Sequence, residues 1–484
     1  MSIFDFLFSS RLKAMKRRIE RLEARLLELA PEREQDGDAR IRASRIFSVG
    51  DILEKISLGI TRSHSGLAGD VDVTVLTLPA LLKRLAEAAR LADRRLCFYD
   101  TDGEWRDFEG EDTTFRPQET ARSGCIELAI ADRDDRLESR YSIARWSSRD
   151  SSLYCHNPKA PIKRVSMARA RRGYGEAERA TETEPIDAVY CWVNSEDPEW
   201  RASLSEFRPD GDIDKDRFQQ FDEMKFSIRS IDMFAPWIRK IFVFSDCRPP
   251  DWFRAGDRVE WVYHKDVIDK AYLPLFNSHA IETFLHEIPG LSDRFLYFND
   301  DMFLSGFVRP SDFFTDFGQG VSRLERSGMV PYFLDNPDRC EEWQAATANS
   351  ARLLLRDDGV LPARLHKHTN YALKISAYRK LVETYGQEIE ATRRSRFRAA
   401  SDHNFTAFLY HHFCLARGEA VESNEEAIVV RAHNFRTFIK EELYKKVRFF
   451  CVNDGRGSAS DADYVKFKRE FLPKIFPFKS RAEK

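Results

Sequence analysis

The sequence predicts an α/β protein. Its main body, residues 185–484, is expected to be a mostly parallel, Rossmann-like sheet with helical additions. A small α+β domain (41–156) and an N-terminal amphipathic helix (1–35) precede it. Three observations carry this. After Pro185, strand-like runs alternate with helix-spaced segments, the order that builds parallel sheets. Polar residues gather at the carboxyl ends of those strands, where open α/β sheets bind ligands. A charged stretch with Pro and Gly, 157–184, reads as a linker between the two halves.

In chain order, Leu12, Met15, Ile19, Leu22, Leu26 and Leu29 repeat at alternating spacings of 3 and 4, an apolar helical stripe that Pro31 ends. Three roles fit the stripe: packing on its own protein, contact in a homodimer, or, with Phe4, Phe6, Lys13 and Arg17, lying on a membrane surface. In the next domain VDVTVLTL, LCFYD and CIELAIAD read as strands, and the segment after Leu78 as a helix with Pro79 in its first turn. The acidic loop DTDGEWRDFEGEDTT lacks the order of a calcium loop and reads as a solvated turn. Beyond the linker, strands are expected at 186–193, 241–245, 259–264, 294–300 and 449–452. Helices are expected at 218–234, where Phe221, Met224, Ile228 and Ile231 share a face, at 278–288, and from Ser401 or Asp402.

Composition narrows the function classes. Across 484 residues, 77 Lys+Arg against 79 Asp+Glu leave a formal charge of −2, without the basic excess of a nucleic-acid binder. No run reaches the ~18 apolar residues of a membrane span. The opening MSIFDFLFSS lacks the basic region of a secretion signal. Eight scattered cysteines without a Cys-x-x-Cys pair indicate neither a zinc knuckle nor a disulfide scaffold. The expectation is a cytoplasmic protein, with contact at the inner membrane face left open.

Among residues suited to chemistry, the pair Asp300–Asp301 after an apolar strand stands out. Adjacent carboxylates at a strand end suit a divalent cation that bridges to phosphate, and equally a turn or a helix cap. Asp187 lies inside an apolar strand, where an unpaired acid is costly; a functional role and a buried hydrogen bond both account for it. Asn194 fits a binding role or a plain turn. His368, in a polar turn, suits general-base work, with His366 close by. Arg396 and Arg398 precede a helix start, a place that favours phosphate. His411 and His412 point in different directions and read as structural. FFCVND adds Asn453 and Asp454 after another strand.

The joint order of these segments resembles the four conserved regions of the Stealth family. The matching stretches are IDAVYCWVNSEDPEW, RFQQFDEMKFSIRSIDMFAPWIRKIFVFSD, LPLFNSHAIETFLHEIPGLSDRFLYFNDDMFL, the His368–Asp402 segment and FFCVND, together covering roughly 185–454. That family includes bacterial capsule and exopolysaccharide sugar-phosphate transferases and the animal N-acetylglucosamine-phosphotransferase. The resemblance implies a glycosyltransferase-A-like sheet that transfers an intact sugar-1-phosphate from a nucleotide-diphospho-sugar to a glycan hydroxyl, releasing nucleoside monophosphate. Sugar transfer with release of the diphosphate, and a silent glycan-binding subunit, are the alternatives.

Carried onto this chain, the resemblance implies catalytic roles for Asp187, Asp301, His368 and Arg398. It implies a Mg²⁺ (or Mn²⁺) site of Asp300, Asp301 and Asp454. A donor pocket would be shaped by Asn194, Arg217, Arg229, Asn277, Ser278, Glu282, Asn299, Asp402 and Asn453. Cys191 stands where the family usually has Thr, Ser195 where Gly is common, and His368-Thr369-Asn370 lacks the usual proline. These departures bear on donor choice rather than on the reaction.

Overall fold

The computed structural model describes residues 59–62, 68–74, 78–100, 102–108, 125–157, 160, 163–166, 184–208, 220–455 and 457–484. The expected helix at 1–35, with its dimer and membrane roles, and Arg217 lie outside the described residues. No described helix is long and apolar enough to cross a membrane.

The first half forms one sheet of β1 (Gly59–Arg62), β2 (Ala68–Thr74), β3 (Arg95–Tyr99), β4 (Trp105–Asp107), β5 (Ile126–Ala131), β6 (Leu137–Arg149), β7 (Ser152–Cys155) and β8 (Arg164–Ser166). Its spatial order is β1-β2-β6-β5-β3-β4, with β7 on β6 and β8 on β7. Helix α1 (Leu78–Leu91) buries Leu78, Leu81, Leu82, Leu85 and Ala89 against Val71, Leu128 and Ile143. Those helix positions recur at the spacing that makes one apolar stripe. Strand β8 falls inside the stretch that composition marks as linker. The hydrogen bond from Cys155 N–H to Lys163 O continues the ladder there, so charged composition does not prevent an edge strand.

Central β9 (Ile186–Cys191), β10 (Ile241–Ser245), β11 (Val259–Tyr263) and β12 (Arg294–Asn299) run parallel in the order β11-β10-β9-β12. Two strands adjoin them in sequence: β13 (Met302–Leu304) and β14 (Gly320–Gly328). Further on come β15 (Arg364–His366) and β16 (Tyr371–Lys374), the latter closing the sheet antiparallel on β12. The middle strands bury every residue of IFVFS and all but the ends of RFLYFN. Continuous burial of this kind is expected of parallel strands covered on both faces. Helix α2 (Pro198–Phe207) starts on an Asp197 cap that accepts from Glu199 N–H and Trp200 N–H. Helix α3 (Glu223–Phe234) crosses from β9 to β10, and its Ser227 hydroxyl lies 2.7 Å from the Tyr190 hydroxyl.

Two helix expectations change. The segment 278–288 is a short helix α4 (Ser278–Glu282) followed by a 3-10 turn, Leu285–Glu287. The helix expected from 401 begins at Phe405, in a π-helical turn, because Asp402 and Asn404 spend their side chains on neighbouring segments. His368 lies in the turn between two strands.

The last strands are β17 (Ala420–Ser423), β18 (Ala427–Val430) and β19 (Phe449–Val452). Strand β19 pairs antiparallel with β13 and parallel with β18. The two halves pack together. Buried Arg140 of β6 donates to Leu128 O, to Glu127 Oε2 at 3.0 Å and to Met233 O of α3. Arg136 reaches the Glu483 carbonyl at 2.7 Å.

Candidate active site

The carboxyl ends of β9, β10 and β12 share one edge of the sheet, and at β12 the chain turns sharply through Asp300 and Asp301 into β13. The β13–β19 pairing sets Met302 opposite Cys451, and Val452 N–H donates to Asp301 O at 2.9 Å. Strand alternation then points Cys451 and Asn453 the same way. Both reach Asp301 Oδ2, the thiol at 3.0 Å and the amide at 3.2 Å. His368 Nε2 stands 3.6 Å from that same oxygen, brought there because β16 runs antiparallel to β12 with Tyr371 opposite Tyr297. Oδ1 of Asp301 is buried without a hydrogen-bond partner.

The twin acids are electrostatically unequal. Burial, reinforced by the charges of Asp301 and Glu223, pushes Asp300 up to about 8, although Gln220 donates to its Oδ2 at 2.8 Å. Burial also works to raise Asp301, but His368, Cys451 and Asn453 outweigh it and hold it below the usual carboxylate range. One acid therefore keeps a proton near neutrality while its neighbour is ionised, the usual result for carboxyls that share a site.

A second cluster, Glu282, Arg398, Ser278, Asn277 and Asp402, connects to this pair through Glu282, which feels the charges of both His368 and Arg398. Arg398 donates twice to Ser278 Oγ, at 3.2 and 2.6 Å. Buried Asn277 caps α4 through His279 N–H, and its amide donates to Asp402 Oδ2 at 2.8 Å and to two carbonyls of the 395–397 turn. That lock holds the Arg398 loop against the start of α4. Burial pushes Glu282 up to about 7, against the opposing charges of Arg398 and His368 and a 3.2 Å hydrogen bond from the Tyr297 hydroxyl. Asn299 accepts from the same Tyr297 hydroxyl at 2.9 Å. Arg396 instead donates to Pro274 O and stacks on Phe207, which makes it part of the loop's support.

Several expected residues are elsewhere or otherwise engaged. Asp187 sits at the amino end of β9, opposite Phe295 in register, whereas the twin acids follow the carboxyl end of β12. It pairs with Arg239 and accepts from Lys240 N–H and Ser292 N–H, so it is a buried structural carboxylate and not a catalytic one. Arg229 turns away from the pocket, held by Glu483 at 2.8 and 2.7 Å and by Phe476 O. Asp454 is not a free third ligand. Buried Lys468 holds it at 2.7 Å and Ser458 at 2.9 Å, and Lys468 also reaches Glu223 at 3.1 Å. Asn194 closes a turn at the carboxyl end of β9, where its side chain accepts from Glu196 N–H at 2.9 Å.

Sequence reading missed Cys451, Gln220 and Lys468. For Cys451 a signal existed, since it lies two residues before Asn453 on a strand and shares its face. Gln220 and Lys468 carry no such signal: Gln220 precedes α3 and Lys468 lies on the C-terminal helix Ala462–Ile475, and each meets its acid only through tertiary packing.

Comparisons with known proteins converge on one family. Stealth protein conserved region 1 matches residues 184–212, conserved region 2 matches 217–321 and conserved region 3 matches 367–416. The capsular polysaccharide phosphotransferase SacB of Neisseria meningitidis serogroup A is 34% identical over 316 residues, covering 62% of this chain and 57% of the relative. The exopolysaccharide phosphotransferase of Nocardia farcinica is 37% identical over 304 residues, covering 60% of each. CpsY of Mycobacterium tuberculosis, an exopolysaccharide phosphotransferase, is 35% identical over 314 residues, 62% of this chain and 58% of its own. The chain thus spans less than two thirds of the length of these relatives. Among solved structures, the galactosyltransferase LgtC aligns with 60% of this chain and 95% of its own at 12% identity and a TM-score of 0.33, too loose a likeness to carry an argument. On its three conserved regions and these relatives, the chain belongs to the Stealth family.

Proposed function

We propose that this protein transfers an intact sugar-1-phosphate from a nucleotide-diphospho-sugar to a hydroxyl of a growing capsule or exopolysaccharide chain. The product is a phosphodiester, and nucleoside monophosphate leaves. Family membership and the phosphotransferase names of the relatives support the reaction class. The observation that carries the reading is the His368–Asp301 pair, 3.6 Å apart, at the strand-end edge, with Glu282 feeling the charges of both His368 and Arg398.

The chemistry asks for a proton acceptor and for cationic groups around the phosphates. The His368 imidazole is the acceptor for the attacking hydroxyl, and ionised Asp301, 3.6 Å from its Nε2, stabilises the imidazolium that forms. Arg398, with its fork fixed on Ser278, faces the transferring phosphoryl group. In this reading the sheet takes the glycosyltransferase-A-like role, holding the nucleotide beyond the carboxyl ends of its strands.

The residues fit a hard divalent cation in part. Asp301 Oδ1 is an orphaned buried oxygen beside Asp300, and the mutual repulsion of the two acids would be relieved by positive charge. Asp300 and Asp301 would hold Mg²⁺ or Mn²⁺, which supplies charge neutralisation at phosphate when bound. Asp454, committed to Lys468, would not take part. The test is incubation with a panel of nucleotide sugars and a glycan acceptor, with identification of the nucleotide released. Monophosphate is expected, and diphosphate would replace this reading with ordinary sugar transfer.

A further inference from the structure

We propose that Asp301, His368 and Cys451 form a three-ligand site for a borderline-soft divalent cation of the zinc class, distinct from the hard-cation position at Asp300 and Asp301. One ligand atom from each residue lies within 4.8 Å of the others, and this is the group of potential metal ligands that stands out among the described residues. Two of the three separations lie close to what the ion needs. With metal–ligand bonds of about 2.0–2.3 Å, tetrahedral ligands stand about 3.3–3.7 Å apart. His368 Nε2 and Asp301 Oδ2 are 3.6 Å apart, and Cys451 Sγ and Asp301 Oδ2 are 3.0 Å apart as a hydrogen-bonded pair. Widening the second contact by about half an ångström converts the hydrogen bond into a pair of ligands.

A second observation points the same way. The His368 Nε2 atom is buried without a hydrogen-bond partner, although its ring is one-third exposed, so the nitrogen is oriented inward toward a ligand position. The donor set is imidazole, thiol and carboxylate, which selects zinc or cobalt over magnesium. Three protein ligands leave a fourth position open, the arrangement of zinc sites that admit solvent or a small ligand. The two cation positions use different oxygens of one carboxylate. Oδ2 faces His368 and Cys451, whereas Oδ1 is unpartnered.

Binding expels the Cys451 thiol proton to solvent and forms one metal–sulfur bond with no change of oxidation state. It also occupies His368 Nε2, so on the reading given under Proposed function a zinc-class ion blocks transfer. Spectroscopy tests the site without reference to activity, so failure of that reading and failure of this proposal are distinguishable.

The experiment titrates the full chain, under non-chelating reductant, with Co²⁺ alone. One equivalent is expected to develop a thiolate-to-cobalt charge-transfer band. Cys451→Ser should abolish the band, and His368→Ala should weaken Co²⁺ binding about tenfold or more. X-ray absorption on the Zn²⁺-loaded wild-type protein needs no variant. It should show one sulfur at about 2.3 Å with the remaining ligands nitrogen or oxygen. No band in the wild type, a band retained in Cys451→Ser, or a zinc shell with no sulfur or with several would each overturn the proposal.

Discussion

His368 Nε2 lies 3.6 Å from Asp301 Oδ2, joining a loop between β15 and β16 to the turn after β12. Asp301 is held ionised by three neighbours, so it is suited to stabilise a protonated imidazole rather than to take up a proton itself.

Removing either partner should strike turnover rather than folding. His368→Ala and Asp301→Asn are each expected to lower kcat by about 10²–10⁴-fold, the range of a positioned general base. Release of nucleoside monophosphate at saturating donor measures it. Variants that both keep wild-type kcat would remove these roles.

Arg398 should resist conservative replacement. Its two bonds to Ser278 Oγ fix a planar fork that lysine cannot reproduce. Arg398→Lys should therefore show much of the roughly 10²–10³-fold loss expected of Arg398→Ala, the scale of one preorganised donor to a developing charge. Parallel kcat and KM measurements on the two variants check this.

Asp187 should behave oppositely. It is buried at the far end of β9 with Arg239, whose side chain is 36% exposed. Asp187→Asn is expected to cost about 2 kcal/mol, toward the low side of a broken buried pair because one partner meets water. Denaturant unfolding should show the loss, while KM and kcat of the remaining folded enzyme stay at wild-type values. A selective loss of kcat would return Asp187 to the catalytic set.

The pH dependence of stability reports Asp300. Its folded value, about 8, stands above the ordinary 3.8, so the folded protein holds a proton that the unfolded chain has released. Stability from this group is full below about 3.8 and declines as pH rises toward 8. Glu282, pushed up from 4.5 to about 7, acts in the same direction. Buried His264 and His366, lowered by burial from 6.5 to about 3, act the other way, but their contribution is complete above 6.5. Between pH 6.5 and 8 the wild type should therefore lose stability, and Asp300→Asn should flatten that slope. Chemical denaturation at the two ends of the window measures it.

Much of the sheet was legible because burial on both faces leaves a local mark. The runs IFVFS and RFLYFN are apolar throughout, and the acids that follow RFLYFN fall at a strand end. Asp300 and Asp301 could be singled out for that reason, His368 by its place in a polar turn, and the resemblance to a family joined them. Asp187 misled because an acid in an apolar strand does not disclose which end of the sheet it occupies; register with β12 decides that. Asp454 and Arg229 misled because their partners, Lys468 and Glu483, are remote in sequence and bear no motif. The late start of the helix near 405 was hidden because Asp402 and Asn404 form side-chain bonds that compete with the helix.

The most direct measurement is phosphorus NMR of the polymer made from an active nucleotide sugar, alongside identification of the nucleotide released. Sugar-1-phosphate transfer predicts a phosphodiester resonance and stoichiometric nucleoside monophosphate, both lost in His368→Ala. A polymer without phosphorus, formed as nucleoside diphosphate is released, would contradict it.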